Sequence, residues 1–102
     1  MRAPRLVRGG IRNNSDFYPL REEEEIILGL LQSKLSATTE DILNVIGRDE
    51  LSYSQNNKRK ADAIVEINKL MKQLVGNTII KTAKDPNDKR QVIYYYKRNL
   101  LN

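Results

Sequence analysis

Hydrophobic and polar positions along the 102-residue chain change period several times, and each change marks an element. Leu20, Ile27, Leu28, Leu31 and Leu35 recur at helical spacing and predict a first helix beginning near Tyr18 and Pro19, with Pro19 in its first turn. Glu22 to Glu25 follow, where the positive end of the helix dipole favours carboxylates. Four consecutive residues point all around a helix, so the run predicts a solvated helix start rather than a cation site. Thr38 as N-cap with Asp41 at the capping-box position opens a short second helix through Ile42, Leu43, Val45 and Ile46, which Gly47 stops. A third helix is expected from near Ser54 to Val75, ending at Gly76 and Asn77. On its wheel Ala61, Ile64, Ile67, Asn68, Met71 and Val75 share one face, and Gln55, Lys58, Arg59, Asp62, Glu66, Lys69 and Gln73 lie opposite.

Beyond Gly76 the period falls to two. Residues 79–84 and 91–96 read as strands joined by Asp85, Pro86, Asn87 and Asp88, where Pro86 fixes φ and the other three side chains can bond nearby backbone. Val92, Tyr94 and Tyr96 alternate with Gln91, Ile93 and Tyr95, which places Tyr94 and Tyr96 against the helices and Tyr95 on the other face. A segment around Leu35–Ala37 can supply a third strand to the hairpin. Residues 1–15 combine Pro4, Gly9, Gly10, Asn13 and Asn14 with little apolar content, and read as a flexible arm outside a domain spanning 16–102.

Charge sharpens this picture. The net charge is +5, and its distribution is uneven. Residues 1–15 hold Arg2, Arg5, Arg8 and Arg12 with no acid. Residues 16–47 hold seven acids against Arg21 and Lys34, and residues 48–102 hold twelve bases against six acids. An acidic middle between basic ends suggests a face that meets a polyanion. Cysteine and histidine are absent, which excludes disulfides, Cys/His zinc sites and histidine general bases. No nucleophile–base pair, phosphate loop or metal cluster is visible, so neither enzyme activity nor a cofactor is expected. The longest apolar run, 26–31, is too short to span a bilayer, and residues 1–15 lack the apolar core of a secretion signal. A cytoplasmic protein with no membrane partner is the expectation.

Helix, short helix, longer helix and charged hairpin follow the order of a winged helix-turn-helix, an α+β fold of three helices plus a C-terminal β-hairpin wing. In that arrangement the third helix enters the major groove of double-stranded DNA by its N-terminal half, with the wing (81–96) alongside. Candidate contacts on that helix are Ser54, Gln55, Asn56, Lys58, Arg59 and Asp62, with Gln55, Lys58 and Arg59 facing furthest from the core. Gln and Asn suit adenine, while Arg and Lys suit guanine or phosphate. As an arm, Arg2, Arg5, Arg8 and Arg12 could reach an adjacent minor groove.

Residues 85–94, running Asp-Pro-Asn-Asp-Lys-Arg and then alternating apolar positions, resemble the wing of MarR-type transcriptional regulators. The long helix followed by Gly76, Asn77, Thr78, Ile79 and Ile80 is also similar to that family's helix, glycine and first wing strand. The likeness covers roughly 36–96 and is concentrated in about ten wing residues. It implies that Asp88 braces Arg90 and that Arg90 reaches the minor groove or its edge phosphates. Lys89 beside it at the tip is a candidate phosphate contact, and Lys84 and Asp88 on the same hairpin are further candidate DNA-binding residues. The family's long helices after the wing have no counterpart in 97–102, so its ligand pocket and dimer are not expected. A homodimer would have to use the N-terminal region, the first helix or the tyrosine-rich strand. The sequence leaves two alternatives open: a winged-helix protein–protein module, and an architectural or RNA-binding protein.

Overall fold

A computed structural model describes residues 3–102, which form three helices and two small antiparallel sheets of three strands each. The first sheet occupies the region expected to be an arm. Strands β1 (Arg5–Val7), β2 (Gly10–Asn13) and β3 (Asp16–Pro19) pair in the order β1-β2-β3. Two-residue turns join them, with Gly9 at φ 84° in the first and Asn14 at φ 58° in the second, both left-handed positions these residue types tolerate. Leu6, Ile11 and Tyr18 stand opposite one another, and Ile11 is fully buried in the core. The sheet is tied down from outside: Gly9 N donates to Glu25 Oε2 at 2.6 Å, and Leu20 N donates to Gly9 O at 2.9 Å. Leu6 N donates to Asn102 O at 2.7 Å, and Asn102 N returns a bond to Pro4 O at 2.8 Å. The expected boundary at residue 15 therefore disappears, and the basic N-terminal segment from residue 5 is folded; Arg2 lies outside the described residues.

Helix α1 (Glu22–Lys34) starts later than expected, because Pro19 closes β3 instead of opening the helix. The glutamate run is not a merely solvated start. Glu24 Oε1 accepts from Arg21 N at 2.8 Å and is buried, Glu25 holds Gly9, and Glu23 lies 3.8 Å from Arg59. Ile27, Leu28 and Leu31 form the fully buried stripe. Leu35 ends the helix in a left-handed conformation, φ 70°, and turns the chain into β4 (Ser36–Thr38).

Helix α2 (Thr39–Ile46) carries the predicted capping box: Asp41 N donates to Thr38 Oγ1 at 3.1 Å, and Thr38 N donates to Asp41 Oδ2 at 3.0 Å. Helix α3 (Tyr53–Val75) begins with a second box, in which Ser52 caps and Gln55 returns the bond at 2.9 Å. Gly76, at φ 76°, ends it. The buried stripe of α3 runs Asn56, Lys60, Ala63, Ile64, Ile67 and Met71. Ala61, expected on that stripe, is exposed: the packing face shares Ile64, Ile67 and Met71 with the expected one but takes in Asn56, Lys60 and Ala63 on its other side.

Strands β5 (Ile80–Lys84) and β6 (Val92–Tyr96) form the hairpin, and β4 pairs with β6 in the order β4-β6-β5. Tyr94 and Tyr96 are buried and Tyr95 is exposed. Asn68, inside α3, fixes the hairpin to the helix by accepting from Ile79 N (3.0 Å) and Ile80 N (2.9 Å) and donating to Ile80 O (2.9 Å). Among the described residues no helix is long and apolar enough to cross a membrane.

Candidate nucleic-acid interface

The hairpin tip is a folded object in its own right. Asp85 N donates to Gln91 O at 2.8 Å, Asp88 N to Asp85 O at 3.2 Å, and Gln91 N to Asp88 O at 2.9 Å. Asp85 Oδ1 also accepts from Asn87 N at 2.9 Å, the local side-chain turn that Asp favours. Asp88 Oδ1 accepts from Arg90 N at 3.1 Å and from Arg90 Nε at 3.4 Å. The Arg90 side chain is nevertheless 93% exposed. Its base is held while its guanidinium face is presented to solvent, which lowers the side-chain entropy lost when it grips an anion. Lys84 and Lys89 are exposed beside it.

The start of α3 sorts the other predicted residues into two groups. Asn56 is buried and bonds both backbone groups of Arg48: Arg48 N donates to Oδ1 and Nδ2 donates to Arg48 O, each at 3.1 Å. Arg59 donates to Ile46 O at 2.6 Å and to Asn56 Oδ1 at 3.0 Å, and pairs with Glu23; its side chain is only 20% exposed. Both residues bolt α3 to the end of α2: Arg59 does not face outward as expected, and Asn56, a candidate DNA contact, is buried. Their amide and guanidinium groups are occupied by the α2–α3 connection, which is long and would otherwise leave carbonyls unpaired. Ser54, Gln55, Lys58 and Asp62 are exposed, with Lys58 and Asp62 paired one turn apart at 3.4 Å.

Between α2, the start of α3 and the β5–β6 hairpin lies an open polar cleft of about 450 Å³. Tyr53, Asn57 and Lys60 of α3 line it together with Thr39, Tyr94 and Arg90. Glu40 and Asp88 complete its acidic side. Lys60 is 4% exposed, and its Nζ donates to Tyr94 Oη at 2.7 Å and to Thr39 Oγ1 at 3.3 Å. The ammonium therefore rests on neutral oxygens, with no carboxylate within 4 Å among the described residues. Asn57 Oδ1, beside it, is buried without a partner. Sequence reasoning missed Lys60, Tyr53 and Tyr94 as parts of this cleft. A lysine four residues from buried positions on either side was the available signal.

At the edge of α2, the Asp41 carboxyl is held below the usual carboxylate range, first by the Thr38 backbone N–H, against the opposing effect of burial, and then by Lys34. The predicted arm residues Arg5, Arg8 and Arg12 sit on or beside the N-terminal sheet, apart from this cleft. No protein-family model, curated protein or solved structure matches the chain.

Proposed function

We propose that the chain binds double-stranded DNA as a winged helix-turn-helix module, most simply as a small transcriptional regulator. The observation that carries this is the placement of Arg90, exposed yet braced by Asp88, across one polar cleft from the start of α3. Ser54, Gln55 and Lys58 are the outward groups that meet base edges and phosphates, and Lys89, Arg90 and Lys84 follow the backbone beside them. Arg59 and Asn56 have a different role from the one first expected: they hold the angle between α2 and α3.

A salt-titrated selection from a randomised duplex pool tests this. A defined motif should be enriched, and Arg90→Ala or Lys89→Ala should weaken binding to motif and random duplex alike. Each lost phosphate contact should lower the salt slope by about 0.9. Failure to enrich any motif, with no loss on Arg90→Ala, contradicts the proposal. A protein-binding role is favoured by one observation: Val65, on the outward side of α3 one turn from exposed Ala61, is 61% exposed. Val65→Lys separates the two, since it should abolish a protein contact and leave duplex binding intact.

A further inference from the structure

The N-terminal sheet carries a row of three side chains outside the hydrophobic core. Arg5, Arg12 and Phe17 are directly opposite one another across β1, β2 and β3, so they share the face away from Leu6, Ile11 and Tyr18. With neighbouring strands about 4.8 Å apart, the row is about 10 Å long. Two arginines placed opposite each other repel, and a sheet selected only for stability avoids that pairing. No carboxylate relieves it: the ion pairs among the described residues involve Lys34, Lys58, Arg59 and Arg90. Asp16 alternates to the other face.

Phe17 is 43% exposed, and the Arg12 guanidinium lies 5.6 Å from its ring centre. The ring reaches across β2 over Gly10, whose missing side chain makes room for it: a Cβ there would stand 2.8 Å from Phe17 Cζ and would also clash with Tyr18 O. Beside the row a depression of about 170 Å³ opens between Arg5, Arg12 and Asn14. Guanidinium groups next to an exposed ring laid on a sheet are what a flexible polyanion with π-faces requires. We propose that this face binds an unpaired DNA strand, with phosphates on Arg5 and Arg12 and a base stacked on Phe17.

The surface is separate from the wing cleft. Pro4 and Asn13 of this region line a depression with Leu74 and Val75, at the C-terminal end of a helix about 34 Å long. The wing cleft is lined by Tyr53 and Asn57, at the other end of that helix. The strand site therefore does not depend on the duplex proposal.

Fluorescence anisotropy with labelled oligothymidylate, the matching oligouridylate and a duplex provides the test, using the full chain. Phe17→Leu, which keeps an apolar group over Gly10, should weaken oligothymidylate binding about tenfold. Arg5→Gln with Arg12→Gln should lower the single-strand salt slope by about 1.4. Arg90→Gln should weaken duplex binding and leave the oligothymidylate affinity unchanged. Undiminished strand binding by a folded Phe17→Leu variant overturns the proposal, as does tighter binding of oligouridylate. Loss of strand binding in Arg90→Gln overturns it too, because the strand would then lie at the wing. Strand binding through Phe17 with no duplex binding upholds this site and removes the duplex proposal. If Phe17→Leu does not fold, ultraviolet crosslinking of the unaltered chain decides: adducts within 5–19 support the site, and adducts confined to 85–96 overturn it.

Discussion

At the scale of single residues, three buried or half-buried polar side chains organise this protein: Asn56, Arg59 and Lys60 follow one another within one turn and a half of α3. Asn56 satisfies both backbone groups of Arg48, so Asn56→Ala should destabilise the fold by about 2 kcal/mol in urea denaturation, having removed the partners of a part-buried N–H and C=O. Arg59→Ala should behave similarly and leave sequence preference unchanged, because its guanidinium is spent on Ile46 O, Asn56 and Glu23. Unaltered stability with relaxed sequence preference would instead return Arg59 to the DNA face. Tyr94→Phe deprives Lys60 of its shortest hydrogen bond and should cost about 1–3 kcal/mol by the same measurement. Asp41 makes a smaller, pH-dependent contribution. Its folded carboxyl releases its proton more readily than the unfolded one, so its stabilising share is present at neutral pH and is lost as pH falls below the ordinary value of 3.8. The stability gap between the unaltered chain and Asp41→Asn should therefore shrink on acidification, and a gap that widens would contradict the Thr38–Asp41 cap as its source.

Among the elements, the wing is the one whose rigidity matters most. Asp88→Ala removes two bonds to Arg90, of which the one from Arg90 N also braces the tip. Backbone order parameters for 86–90 should fall, and duplex affinity should drop by less than on Arg90→Ala, since the cation itself remains. Equal losses would mean that Asp88 acts by some route other than holding Arg90. The β5–β6 hairpin, its turn and the α2 cap were legible in the sequence because each is local: a turn of Asp, Pro and Asn, or a Thr three residues before an Asp. The N-terminal sheet was not legible. Its strands are three or four residues long, and only Ile11 among them is a core residue, with Leu6 packed against the core from β1. What holds it is remote in sequence, namely Glu25 and Asn102. One edge of the α3 packing face differs from expectation for a related reason. A helical wheel sets Arg59 opposite the apolar face and Ala61 on it, and only tertiary partners, Ile46 O and Glu23, turn Arg59 inward.

For the whole molecule, the two basic ends of the sequence do not merge into one patch. Arg5 and Arg12 mark the N-terminal sheet, while Lys84, Lys89 and Arg90 mark the wing, and α3 runs between the two regions. On the proposed function, duplex DNA docks at the start of α3 and the β5–β6 hairpin. Amide chemical-shift mapping on addition of duplex tests it residue by residue in one measurement. Shifts should concentrate in 53–60 and 84–92 and leave β1–β3 near their free positions, and raising the salt concentration should reverse them. Shifts confined to β1–β3, or to the Ala61 and Val65 side of α3 without the wing, would contradict that account.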